Sequence, residues 1–429
     1  MKTEHSKKSD RTRRFFQGYW RAIRTFRISL FFVLVLFTGA CGSEGDPAVP
    51  LSVGDFKFDG PHGSDGARIE KVGENHFKIE LGDAPNQPGW PNKLNFEITD
   101  HARGNDLVLD VSFDGGPGMS FNEYFQSWSY DRQTWHPVLW ERGHRDSPQE
   151  DRLVFGEFEQ DRVFVGTQLP LSFEEAEKLL QAWDQHPDAT LHTVGESLQG
   201  RPLYRLEITS SDSDIPRSDR WVHYMANQHP GEHNSQWRIA GVAEWLLSDD
   251  GQEARENSIV HLILYMSPDA AHHGWYRVNE EGVDMNRSFS PTGANQEEQA
   301  HEAYYWQRDL EEIMASESPV TTIWAMHTWQ GLVEPLLRRG PEFGDHVGPW
   351  TELRDRLLEA DPDSLIKPLA LREGEPSYGN VSWSDGPNHQ FGMTAILCEG
   401  GSHLYTKEEN MSSGRAIIEA LTSFYSGRR

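Results

Sequence analysis

The chain of 429 residues holds only two cysteines, Cys41 and Cys398. At most one bridge could form, so a fold stapled by disulfides is excluded. Basic residues are scarce as well: 40 Lys and Arg stand against 67 Asp and Glu, for a formal charge of −27. No basic stripe offsets phosphate repulsion, which excludes nucleic acid as a partner. Long apolar runs are missing. The stretch Ile28 to Ala40 falls short of the roughly 20 residues an ordinary membrane span needs. No internal repeat or long low-complexity tract is present.

What is present starts at the N-terminus. Residues 1–27 carry nine Lys or Arg against two acids and run into that apolar stretch, which ends Phe37-Thr-Gly-Ala-Cys41. A basic flank before a short apolar run fits a secretion signal. Small residues before a lone Cys resemble a bacterial lipobox, with Thr38 where a leucine-like residue is usual. The expectation is cleavage before Cys41 and acylation of its sulfur, giving an exported lipoprotein anchored to a membrane on its periplasmic or cell-surface side. The other reading is an uncleaved anchor. Arg13-Arg14-Phe15 hints at twin-arginine export but lies far from the apolar run. Without residues 1–40 the formal charge falls to −34.

Residues 41–55 read as a Gly, Ser, Pro and acid-rich tether. From 56 to 170 the pattern favours strands, at Phe56 to Phe58, His76 to Leu81, Leu94 to Ile98, Leu107 to Phe113, Leu153 to Phe158 and Arg162 to Val165. An all-β sandwich domain is expected there. Trp90, Trp128, Trp135 and Trp140 are read as core or interdomain packing, the alternative being a carbohydrate-binding surface. Residues 171–429 change character. Ser172-Phe-Glu-Glu175 has capping-box spacing and opens an apolar-periodic segment. Strand-like runs then alternate with helical patterns at Ser235 to Leu247, Asn295 to Met314, Trp350 to Leu358 and Lys407 to Phe424. Such alternation predicts an α/β fold with a mixed, largely parallel sheet covered by helices on both faces.

Polar groups gather at the ends of those strand-like runs, the edge where ligands bind in open α/β sheets. After Trp221 to Ala226 comes Asn227-Gln-His-Pro-Gly-Glu-His-Asn-Ser-Gln-Trp237, in which His229 and Glu232 stand three apart in a turn that Pro230 and Gly231 permit. An imidazole nitrogen and a carboxylate oxygen so placed can close on one small cation, and zinc accepts both. Taken alone, the pair is a weak signal, and a surface loop with a solvated His and a Glu capping the following helix is the better reading. His327 follows the run Val320 to Met326, and Glu399 follows Met393 to Cys398. Cys398 is read as a small core residue, its side chain opposite to that of Glu399. His272 and His273 are read as turn residues.

As an ordered set these motifs resemble the zinc metallocarboxypeptidase family, within it the branch typified by the cytosolic carboxypeptidases, over residues 195–405 and more loosely over 100–195. The resemblance implies one Zn2+ held by His229, Glu232 and His327, with Glu399 as general base towards the zinc-bound water. It implies Arg277 as stabiliser of the oxyanion, and Asn286 and Arg287, in Val-Asp-Met-Asn-Arg, as the pair that binds a free C-terminal carboxylate. Tyr378 is the counterpart of the substrate-covering tyrosine. Trp128 to Trp135 is similar to a stretch of the β-domain in that branch. Peptide or protein C-termini are the implied partners. Two departures stand out: Ser267-Pro-Asp-Ala270 replaces Asn-Pro-Asp-Gly, and Gly231 stands where pancreatic members have an arginine. Val381 suggests an apolar terminal residue, whereas the cytosolic branch often prefers acidic ends. The alternatives are a related zinc amidohydrolase acting on N-acyl amino acids or cell-wall peptides, and a non-catalytic lipoprotein that binds peptides or glycans.

Overall fold

The computed structural model describes residues 48–61, 63–84, 86–87, 92–113, 124–138, 150–328, 336–343, 347–360, 370–371, 379–401 and 403–428. The expected signal, Cys41, most of the tether, Trp90, Trp140 and Tyr378 lie outside the described residues. Among the described residues no helix is long and apolar enough to cross a membrane.

Among the described residues nine strands come first: β1 (Phe56–Lys57), β2 (Arg68–Gly73), β3 (His76–Leu81), β4 (Phe96–Ile98), β5 (Leu107–Phe113), β6 (Gln126–Ser129), β7 (His136–Val138), β8 (Glu150–Phe155) and β9 (Val163–Thr167). They form two sheets, ordered β1-β4-β9-β6-β7 and β2-β3-β5-β8. Alternation decides which face is inside. Leu107, Leu109, Val111 and Phe113 of β5 are buried while the residues between them are half-exposed. They join Phe96, Ile98, Val163 and Val165 of the other sheet in one core, so the expected sandwich forms. Three strands escaped the sequence pattern. β2 is mostly exposed, and β6 and β7 are short and polar, so none carries an apolar signature. Trp135 is buried in the core of the following α/β portion, and Trp128 packs against Tyr130, His136 and Phe158. Both tryptophans therefore pack within the molecule.

Helix α1 (Phe173–Trp183) opens on the expected box: Ser172 Oγ accepts from the Glu175 amide at 3.2 Å, and the Glu175 carboxylate accepts from the Ser172 amide at 3.1 Å. Next come β10 (Ala189–Glu196), β11 (Pro202–Ile208), β12 (Trp221–Asn227), β13 (Ser258–Ile263), β14 (Thr322–His327), β15 (Leu336–Arg338), β16 (Ala370–Leu371) and β17 (Thr394–Glu399). Their order is β10-β11-β13-β12-β14-β17-β15-β16. The four central strands β13, β12, β14 and β17 run parallel, while β11 and β15 run against their central neighbours. The hairpin from β10 to β11 turns at Gly200, whose φ of +79° favours glycine.

Both faces of the sheet are covered. Helices α2 (His233–Leu246) and α8 (Lys407–Ser426) pack with Met225, Leu262, Trp324, Met326, Ile396 and Cys398. On the opposite face α5 (His301–Met314) sets Trp306 and Leu310 against Tyr224, Ala226, Ile263, Ile323 and Ala395. Helix α6 (Val347–Ala360) and the shorter α3 (Gln252–Asn257), α4 (Pro268–His273) and α7 (Gly386–Phe391) complete the portion. The helix expected from Asn295 starts at His301 instead. Asn295 closes a turn, its carbonyl accepting from the amides of Glu298 and Gln299.

Candidate metal centre

Parallel pairing builds the site. β12 hands the chain to the turn 228–232, and β14 and β17 end side by side in register, His327 opposite Glu399. His229, Glu232 and His327, far apart in sequence, meet at this edge. His229 Nδ1 lies 2.7 Å from Glu232 Oε1, His327 Nδ1 lies 3.0 Å from Glu232 Oε2, and the two Nδ1 atoms are 3.1 Å apart. All three residues are buried, and among the described residues they are the only group of three that could hold a metal ion.

The donor set fits one zinc. His229 Nε2 lies 3.0 Å from Asp284 Oδ1, so a neutral ring donates its Nε2–H to that carboxylate and keeps the Nδ1 lone pair facing Glu232 and His327. The Thr328 amide donates to Glu232 Oε2 at 3.0 Å and fixes the carboxylate. Burial would push the Glu232 carboxyl up, but the two imidazoles overcome it and hold the group well below the usual carboxylate range. A carboxylate kept ionised between two imidazoles is what a divalent cation needs.

Residues 176–325 match the family model described as zinc carboxypeptidase. The chain carries a zinc carboxypeptidase domain. Over 254 residues it is 29% identical to cytosolic carboxypeptidase 2 of Xenopus tropicalis, covering 54% of this chain and 25% of that protein. Over 103 residues it is 37% identical to cytosolic carboxypeptidase 2 of Danio rerio, covering 23% of this chain and 14% of that one. The chain thus spans no more than a quarter of the length of either relative. Its fold is similar to that of a metallo-carboxypeptidase from Burkholderia cenocepacia, with a TM-score of 0.71 and 17% identity over 87% of this chain and 99% of the other. A metallo-carboxypeptidase from Pseudomonas aeruginosa, solved with (2-guanidinoethylmercapto)succinic acid, gives 0.67 and 18% over 87% and 100%.

Around the metal triad of this carboxypeptidase domain stand the other anticipated residues. Glu399 is half-buried as a residue, yet its Oε2 is shielded from solvent and has no hydrogen-bond partner among the described residues. Burial pushes its carboxyl up to about 7, with His327 and Arg277 pulling down and Glu232 pushing up. Cys398 turns to the other face, buried in the core, with Arg238 Nη2 at 3.5 Å from its sulfur.

Arg277 donates from Nε to Asp284 Oδ2 at 2.7 Å, and its Nη1 lies 3.5 Å from His229 Nδ1. Burial works against its charge, and Asp284 more than restores it. Asn286 is held at both ends: its Nδ2 lies 3.2 Å from His327 Nε2 and its Oδ1 accepts from the Trp383 amide at 2.9 Å. Arg287 is half-buried and donates to the Asn286 carbonyl at 2.8 Å.

Asp284 was missed in the sequence. It links His229 to Arg277, and it caps the short turn Met285–Arg287 by accepting from the Asn286 amide at 2.8 Å. The available signal was its position two residues ahead of Asn286 in Val-Asp-Met-Asn-Arg, where an acid readily caps a turn. In the departing segment Ser267-Pro-Asp-Ala270, Asp269 is fully buried and receives Ser197 Oγ, the Gln199 amide and Arg201 Nη1 at 2.6–3.0 Å. His272 and His273 are not free turn residues. His272 Nδ1 contacts Glu174, and His273 Nδ1 lies 3.1 Å from Asp65, joining the α/β portion to the sandwich.

Proposed function

We propose that the protein is a zinc-dependent carboxypeptidase that removes the last residue of peptides or proteins. The observation that carries this reading is the convergence of His229, Glu232, His327 and Glu399 at one sheet edge beside two arginines. When bound, zinc supplies Lewis acidity towards the scissile carbonyl and towards water. Glu399 takes the proton of the attacking water and delivers it to the leaving amine, work for which an oxygen without a partner among the described residues is suited. Arg277 stands beside His229 and stabilises the oxyanion, and Asp284 holds its guanidinium in place. Arg287 takes the free terminal carboxylate with Asn286 beside it, since a guanidinium binds that group through two parallel hydrogen bonds.

The proposal includes a division into a β-domain of residues 56–170 and a catalytic domain of 171–429. It also includes export, with acylation at Cys41 as the anchor. The test sets peptides with free C-termini against N-acyl amino acids of matched side chains. Preferential release of a terminal residue from the peptides supports the reading. Turnover of acyl-amino acids alone would favour the amidohydrolase instead.

A further inference from the structure

The sandwich reaches the metal loop through one unusual side chain. Lys93 lies in the stretch leading into β4 and is fully buried, a rare placement for a lysine. Backbone bonds fix where it stands. The Lys93 amide donates to the Gly274 carbonyl at 3.1 Å, and Asn92 bridges to Trp275, so this stretch of the sandwich is laced to the segment that carries Tyr276 and Arg277. Ser64 Oγ donates to the Lys93 carbonyl from the other side.

Its side chain then runs between two aromatic rings. Lys93 Nζ sits 3.9 Å from the ring centre of Tyr124 and 4.8 Å from that of Tyr276. The two hydroxyls meet at 2.5 Å, and that of Tyr124 reaches the Thr328 carbonyl at 3.3 Å. The amide of the same Thr328 holds Glu232. On its other flank Lys93 fills the place where Gly231 has no side chain: a Cβ there would come within 2.5 Å of Lys93 Cε and within 3 Å of the Tyr276 backbone. The Gly231 amide is itself bonded to the Tyr276 carbonyl at 2.9 Å.

We propose that Lys93 is a positioning residue of the metal centre, a cation delivered by the sandwich that clamps Tyr124 and Tyr276 and so fixes the loop 229–232 and the Thr328 peptide against Glu232. Lys93 is completely shielded and touches no substrate. An apolar side chain would fill the space without the cost of burial, but it would not grip two ring faces at once. The role deepens the carboxypeptidase reading and rests on it for its kinetic consequence.

The test uses the full chain loaded with Co2+ in place of Zn2+, whose visible absorption reports the geometry of the ligands whether or not turnover is seen. Lys93→Met and Tyr124→Phe are each compared with the parent well below their melting temperatures. Both should shift the cobalt bands and lower kcat about 10- to 100-fold, with KM within about twofold. If either variant keeps the parental spectrum and kcat while only its melting temperature falls, the residues serve stability alone and the proposal is overturned. Should Lys93→Met not fold, Tyr124→Phe decides, since it keeps the ring and removes only the hydroxyl that links it to Tyr276 and Thr328. A parent that binds cobalt but cleaves no peptide overturns the carboxypeptidase reading, and the spectra still judge the clamp.

Discussion

His327 and Glu399 are paired residues at the ends of neighbouring parallel strands, one a candidate metal donor and the other a carboxylate with a shielded oxygen that has no partner among the described residues. Parallel strands in register send such side chains to the same edge of the sheet. Seventy-one residues of intervening sequence therefore cost the site no precision.

Replacing Glu399 by Gln should keep zinc and lower kcat by about 10²- to 10⁴-fold, the range for a positioned acid or base. Metal analysis and steady-state kinetics check this. Full activity in the variant would remove Glu399 from the mechanism.

The same variant has a pH signature in stability. Burial raises the Glu399 carboxyl from 4.5 to about 7, so on alkalinisation the unfolded chain gives up this proton first. In protein stripped of metal with a chelator, the contribution of this one group to stability should fall between pH 4.5 and 7 and level off above. Glu399→Gln removes that loss and should stabilise the stripped protein by on the order of 3 kcal/mol at pH 8, with little gain at pH 4. Urea unfolding at the two pH values measures it. An equal effect at both would show that the carboxyl is not raised.

Asp284→Asn should weaken zinc binding about 10- to 100-fold, because the carboxylate orients His229 and strengthens its Nδ1 as a donor. Chelator competition gives the affinity directly. Unaltered affinity would mean that Asp284 serves the turn cap and Arg277 and not the metal donor.

Gly231→Ala should cost about 1–3 kcal/mol, since the new Cβ meets both the Lys93 side chain and the Tyr276 backbone and only the former can bend away. Calorimetry of the variant tests the fit. A neutral outcome would show that the loop shifts freely.

Cys41→Ala should release the protein from membranes and abolish incorporation of labelled fatty acid. Continued labelling would refute the proposed lipid anchor.

Much of the site was legible because its chemistry sits at strand ends, where an apolar run stops and one polar residue follows. His327 and Glu399 were both readable in this way, as was the Ser172–Glu175 cap, which depends on four adjacent residues. Asp284 was not, because a carboxylate shows no sequence sign of the distant histidine it will meet. Lys93 and Tyr124 were harder still. They come from the stretches leading into β4 and β6 of the sandwich and act through ring faces and backbone, and neither leaves a spacing to find. β2 escaped for a simpler reason, since an exposed strand has no buried face to impose alternation.

The most direct measurement is mass spectrometry of a mixed peptide library incubated with zinc-loaded protein and, in parallel, with its Glu399→Gln variant. Loss of single residues from free C-termini with the parent, and none with the variant at equal zinc content, is the predicted result. Internal cuts, or an intact library with one zinc bound per chain, would contradict it.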